Sequence, residues 1–116
     1  MGQPALSAEA QKALDGQLFA AAQQGDAAAI ERLAAEGASP DAKDWLVAPA
    51  VYVAASRGHA GAVSALARLG ADLDARYGDG WTALMNAAYE GEVECARALL
   101  AGGADRTLRT LSLIHI

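Results

Sequence analysis

Apolar and polar residues alternate along this chain in a pattern that repeats every 33 residues. Gly25, Gly58 and Gly91 mark one column of the repeat, and glycines at 37, 70 and 103 mark a second. Around these glycines, apolar residues recur at steps of three and four, which is the spacing of one helix face. A fixed period of this length is typical of stacked supersecondary units, so the pattern predicts a repeat architecture.

Each unit is predicted to contain two helices that end at glycines. The first helix spans 18–24, 51–57 and 84–90 in the three units, and the second spans 27–36, 61–69 and 93–101. Glycine just past a helix end suits a positive φ, where a Cβ atom would be strained. The intervening segments 39–49 and 72–83 are rich in Asp, Gly and Pro, which predicts turns or short hairpins.

The last unit carries the clearest motif. It reads DGWTALMNAAYEG from Asp79 to Gly91 and closes with ALLAGGAD at Asp105. These stretches resemble the D-G-x-T-P-L-H-x-A-A-x-x-G opening and the L-L-x-x-G-A-D close of the ankyrin repeat family. The resemblance covers residues 15–110 and implies an all-α, ankyrin-type solenoid of helix–turn–helix repeats with short hairpin or finger turns. Pro49 and Tyr52 replace the motif's Thr and His in the middle unit, which predicts modest stability.

The repeat columns predict one ankyrin repeat domain over residues 1–110, with units of about 15–40, 41–73 and 74–106. Before them we expect an N-terminal capping helix of about 7–14, with Ser7 as N-cap and Ala10, Ala13 and Leu14 facing the first unit.

The apolar hexapeptide 111–116, LSLIHI, has no place in the repeat pattern. It looks like the translation of an adaptor end sequence used in preparing sequencing libraries, so we interpret it as a non-native tail. On that interpretation, the natural protein is expected to continue with further repeats or another domain. The alternative is a genuine short strand or helix start.

Composition narrows the classes of function. Alanine supplies 31 of the 116 residues, which favours closely packed helices. The net charge is −5 and no Lys/Arg cluster is present, so we expect no nucleic acid as partner. The sequence has no leader pattern and no apolar stretch of the roughly 18 residues that span a bilayer, so we expect no membrane partner and a cytoplasmic protein.

The sequence predicts no enzyme, no cofactor and no metal. His59 follows Gly58 as in the family motif, which indicates a structural role, and the other histidine, His115, belongs to the excluded hexapeptide. Cys95 is the only cysteine and has no flanking His or Lys, so a packed thiol is expected. Aspartates in the turns do not match the spacing of a calcium loop, which favours turn and N-cap roles.

The resemblance implies a protein–protein interaction module that binds another protein through the concave face of fingers and first helices. Weak self-association through the uncapped C-terminal repeat is also expected. Two alternatives stay open: a regulatory module of a larger enzyme or effector truncated at its C-terminus, and a structural spacer in a longer repeat array.

The ligand-facing positions of the family pattern can be carried onto this chain residue by residue. Trp, Tyr and Arg among them are the residue types most enriched at interface hot spots. The alternative for the aromatic members is that their rings fold back over the hairpin base. The predicted partner-binding residues are Gln23, Gln24, Trp45, Leu46, Ala48, Ser56, Arg57, Gly78, Asp79, Trp81, Tyr89 and Glu90.

Overall fold

Paired helices stacked in two layers make up the described part of the chain. The structure, a computed structural model, describes residues 7–41, 48–78 and 80–105. Helices α1, α3 and α5 pack side by side in an inner layer, and α2, α4 and α6 form an outer layer. The predicted all-α stack of helix pairs is confirmed. The helices are α1 Ala8–Gln24, α2 Ala27–Ala35, α3 Ala50–Ser56, α4 Ala60–Arg68, α5 Ala83–Glu90 and α6 Val93–Ala101.

The first helix differs from the prediction because it is continuous. The expected capping helix of 7–14 and the expected helix from Leu18 are both parts of α1. Gly16 does not break the helix, since an interior glycine costs only about 0.5–1 kcal/mol and the continuous helix also packs Leu14 against the core. The Ser7 hydroxyl accepts the Ala10 N–H at 3.1 Å, as expected of an N-cap.

Two further expectations at this end have opposite outcomes. Leu14 packs against the core, as predicted. Ala13 is exposed and does not face the first unit, because it lies on the outer side of the continuous helix. The hexapeptide 111–116 lies outside the described residues.

Alanine dominates the contacts within the inner layer. Ala22, Ala54, Ala55 and Ala87 are fully buried. Such small side chains let neighbouring helix axes approach closely, while larger apolar residues fill the space between the two layers. The buried residues include the predicted core columns, among them Leu18, Ile30, Leu33, Val51, Val63, Leu66, Leu84 and Leu99.

The second helix of each unit ends as predicted. Gly37, Gly70 and Gly103 follow α2, α4 and α6 with φ values of 112°, 85° and 101°. At Gly70 a Cβ atom would have no heavy atom within 4 Å, so the left-handed backbone alone accounts for glycine at that position.

A hairpin finger precedes α5. Tyr77 and Trp81 form an antiparallel bridge, with N–H to O distances of 2.8 and 3.1 Å. The Arg76 guanidinium steadies the turn by donating to the Gly80 carbonyl oxygen at 2.6 Å. The hairpin predicted for this segment is confirmed, while the tip of the preceding finger, residues 42–47, lies outside the described residues.

Two equivalent polar contacts, 33 residues apart along the chain, join successive turns. The Asp41 carboxylate accepts the Asp72 N–H at 2.6 Å, and the Asp74 carboxylate accepts the Asp105 N–H at 2.8 Å. The Asp26 carboxylate caps α2 by accepting the Ala29 N–H. These contacts support the predicted turn roles of Asp41, Asp72 and Asp74, while Asp44 and Asp79 lie outside the described residues.

The α5 start keeps a cap that the α3 start lacks. Thr82 is fully buried, and its hydroxyl accepts the Met85 N–H at 3.2 Å. Pro49, at the equivalent position before α3, provides no side-chain cap. The modest stability predicted from this departure stays a prediction. Within the described residues, no helix combines the length and the apolar character that crossing a bilayer requires.

Gly16 and Gly70 can be compared to test whether a positive φ, rather than lack of space, requires glycine. A Cβ atom added at Gly16 or at Gly70 would have no heavy atom within 4 Å, but only Gly70 has a positive φ. Gly16→Ala is expected to stabilise the protein by about 0.5–1 kcal/mol, since it removes a helix-interior glycine. Gly70→Ala is expected to destabilise it by roughly 1 kcal/mol. Urea denaturation of both variants measures this, and equal shifts of the same sign would contradict the assignment.

Hydrogen exchange tests the one-dimensional arrangement of the units. Helix α4 packs between α2 and α6, whereas within the described residues α6 packs against α4 and α5 and has no further unit beyond it. Because a unit contacts only its neighbours, α6 amides are expected to exchange at least about tenfold faster than α4 amides. Equal protection of the two helices in a monomeric sample would show that something covers the outer side of α6.

Candidate functional site

The C-terminal ends of the inner helices form a continuous exposed edge. Tyr89 and Glu90 end α5, and the equivalent residues Ser56 and Arg57 lie at the end of α3. Gln23 and Gln24 end α1 in the same register. All are exposed except Gln23, which is half-buried. Six of the predicted partner-binding residues therefore share one edge of the stack.

A cleft of ≈ 300 Å³ opens between α3 and α5 beside this edge. It is lined by Tyr52, Trp81, Asn86, Tyr89 and Glu90. Trp81, Tyr89 and Glu90 were predicted as partner-binding residues, but Tyr52 and Asn86 were not. Helical spacing could have found both, because Tyr52 lies four residues before Ser56 and Asn86 three before Tyr89.

Aromatic rings of the finger and the inner helices meet in two pairs. The Trp81 and Tyr89 ring centroids are 5.7 Å apart and the ring planes are nearly perpendicular, at 84°. The Tyr52 and Tyr77 centroids are 5.0 Å apart at 58°. Edge-to-face pairs of this kind fix ring positions with about 0.5–1.5 kcal/mol beyond area burial. Tyr89 nevertheless stays 63% exposed.

Tyr52 and Asn86 form the floor of the cleft. The Asn86 amide nitrogen donates to the Tyr52 hydroxyl at 3.4 Å, a long and weak contact. The buried Asn86 Oδ1 has no hydrogen-bond partner within the described residues. Burial raises the pKa of the Tyr52 hydroxyl, the Asn86 hydrogen bond opposes this shift, and the nearby Tyr77 and Glu90 add to it. The Tyr52 hydroxyl therefore stays protonated at neutral pH.

Comparison with protein families matches residues 18–110 to ankyrin repeats, in three copies. The chain belongs to the ankyrin repeat family. Ankyrin repeats are in general protein–protein interaction modules. A comparison with curated proteins gave no match.

The remaining residues predicted to face a ligand differ in their exposure. Ala48 is 4% exposed, which leaves its side chain little surface for a partner, and its part in binding stays a prediction. Ala48 is the residue equivalent to Trp81, one period earlier in the chain. At this position the middle unit therefore has a buried side chain. Gly78 is exposed in the finger. Trp45, Leu46 and Asp79 lie outside the described residues.

The sequence left two interpretations of Trp81 open, a partner-binding ring or a ring folded over the hairpin base, and its position fits both. Its residue is half-buried, and its ring packs against Tyr89, a residue of the predicted binding set. The ring therefore contributes to the finger base and also lines the cleft.

His59 holds adjacent units of the ankyrin stack together. Its Nε2 atom lies 3.1 Å from the Gln23 carbonyl oxygen. A Cβ atom built on Gly25 would lie 2.6 Å from the His59 ring, so the ring fits against the bare glycine backbone. One period later the Glu92 carboxylate lies over Gly58 in the same way. The structural role predicted for His59 is consistent with these contacts.

The outer face of the last unit is partly open. Val93 is 57% exposed, and with Ala88, Ala96 and Leu100 it borders a shallow apolar depression. Val63, one period before Ala96, is fully buried because the next unit covers it. Self-association through this face stays a prediction.

Cys95 is a buried thiol in α6. Only 1% of the residue is exposed, and burial, with smaller contributions from Glu92 and Glu94, raises the pKa of its thiol. Among the described residues, no three His, Cys, Asp or Glu side chains are grouped to hold a metal ion.

The Cys95 environment predicts low reactivity and a defined pH dependence. The folded thiol is expected to react with a disulfide reagent at least about tenfold more slowly than the unfolded chain, since the thiolate is the nucleophile. Because the folded pKa is raised, the Cys95 contribution to stability is constant below the unfolded pKa of about 8.5 and falls as pH rises above it. Melting temperatures from pH 7 to pH 10 measure this, with Cys95→Ala as control. An equal fall in both proteins would contradict the assignment.

Proposed function

We propose that this ankyrin domain binds a protein partner on the edge formed by the ends of α1, α3 and α5, centred on the cleft lined by Tyr52, Trp81, Asn86, Tyr89 and Glu90. We name this surface the aromatic edge. The observation that carries the proposal is the position of Tyr89. A large ring that is 63% exposed contributes little to the stack, although the Trp81 contact holds it in one place.

Pre-ordered aromatic surface favours binding. Tyr and Trp side chains bury large areas and lose little conformational entropy, which is why they are enriched at interface hot spots. The finger and α5 already hold Trp81 and Tyr89 against each other, so less ordering remains to be done on association.

A non-catalytic role accompanies this proposal. Catalysis requires a nucleophile, a base and an orienting group within hydrogen-bond reach. The described residues offer His59, which contacts a backbone carbonyl, and Cys95, which is buried. Neither lines the cleft.

Replacement of Tyr89 tests the proposed function. Protein fragments from a displayed open-reading-frame library are selected on the immobilised wild-type domain, and the Kd of each recovered fragment is measured by calorimetry. Tyr89→Ala is expected to raise Kd about 30-fold, corresponding to roughly 2 kcal/mol at a hot spot. Its free energy of unfolding should change by less than about 1.5 kcal/mol, because the residue is largely exposed and loses only the Trp81 ring contact.

Glu94→Ala is the matched control. Glu94 is equally exposed but lies on α6, in the outer layer, with 75% of its side chain open to solvent. It is expected to leave Kd unchanged. Fragments that bind Tyr89→Ala as tightly as wild type would contradict binding at the aromatic edge and favour the spacer alternative.

A further inference from the structure

The cleft of the aromatic edge is lined by three aromatic residues, the Asn86 amide and the Glu90 carboxylate. Tyr52, Trp81 and Tyr89 supply the rings. In the near-perpendicular Trp81–Tyr89 pair, the ring that presents its edge keeps both of its faces clear of the other ring. Ring faces carry the negative part of the aromatic quadrupole, so the walls of the cleft attract positive charge.

Glu90 adds a full negative charge at the rim. It is exposed and forms no ion pair within the described residues. Arg76, in the adjacent finger, directs its guanidinium to the Gly80 carbonyl oxygen. The chain carries a net charge of −5, which favours the approach of a basic partner, although the edge also includes the exposed Arg57 at the end of α3.

Three classes of occupant can be compared. A carboxylate would meet both the ring faces and the Glu90 carboxylate, which repel it. A purely apolar side chain would desolvate Glu90 and leave that charge without compensation. A side chain with an apolar stem and a cationic end satisfies both features, because the stem packs on the rings and the charge pairs with Glu90.

On this basis we infer that the cleft receives a lysine or arginine side chain from a basic segment of the partner. The inference rests on the proposed function and specifies the chemistry of the partner at the same surface. The cation lies between the Trp81 and Tyr89 rings on one side and the Glu90 carboxylate on the other. The energy of the contact comes from the charge and the ring faces together.

A peptide selection tests the inference without knowledge of the natural partner. Random dodecapeptides displayed on phage are selected on the wild-type domain and depleted on Tyr89→Ala, so that only peptides requiring the cleft survive. The survivors are expected to share a Lys or Arg. In synthetic versions, replacing that Lys by norleucine keeps the stem and removes the charge, and it is expected to weaken Kd about tenfold. If the selected residue is Arg, it is first changed to Lys and Kd is measured again. That Lys is then replaced by norleucine.

Variants of the domain separate charge from surface area. Glu90→Gln is expected to weaken the Lys peptide roughly fivefold and to leave the norleucine peptide unchanged within error. Tyr89→Phe is expected to retain binding, whereas Tyr89→Leu, which keeps an apolar surface but loses the π face, should weaken it about fivefold. Glu94→Gln is the control for loss of a charge elsewhere. Thermal melting of each variant shows whether the fold is kept.

Each outcome has a separate meaning. Survivors anchored by an apolar or acidic residue, or equal loss with Glu90→Gln for both peptides, would overturn the cationic occupant and leave protein binding at the aromatic edge intact. If no peptide distinguishes wild type from Tyr89→Ala, binding at this edge fails, and the cationic occupant fails with it.

Discussion

Close contact between inner helices through alanine is the constraint on which the stack depends. Ala22, Ala55 and Ala87 are fully buried at these contacts, and a larger side chain at any of them would push two units apart. Alanine also buries little area, so each interface contributes modestly and stability accumulates from unit to unit. Larger residues such as Leu66 and Leu99, both on outer-layer helices, are fully buried and add more area per residue.

The same close spacing explains the polar contacts that repeat along the stack. The His59 ring reaches the Gly25 backbone, and the Glu92 carboxylate reaches that of Gly58, because glycine leaves no Cβ in the way. Glycine at this repeat position therefore serves two purposes. It allows the left-handed turn after the inner helix, and it allows the next unit to approach closely. The turns of successive units are joined as well, because the Asp41 carboxylate accepts the Asp72 N–H. By comparison, the Arg68–Glu31 ion pair between α4 and α2 is largely exposed and contributes little.

The proposed binding surface lies where this regularity leaves room for variation. A stack of small residues has a shallow inner surface, so the large rings of Trp81 and Tyr89 stand out from it and create a cleft that alanine would not. The finger hydrogen bonds between Tyr77 and Trp81 hold one wall, and α5 holds the other. The aromatic edge is thus rigid because the repeat is rigid, and its chemistry is set by a few side chains that the repeat does not need.

Local backbone chemistry made the helix ends and the repeat predictable from the sequence alone: Gly70 follows α4 with a positive φ because few other residues tolerate it. What depends on neighbours in space was not predictable. Whether Gly16 ends a helix depends on how much apolar surface the continuous helix buries, and the tertiary structure decided that it does not. Ala48 and Trp81 share one column, yet the first is buried and the second lines a cleft, because column position does not determine what packs against it. Asn86 joins the site only because α3 brings Tyr52 beside it, a contact between residues 34 positions apart.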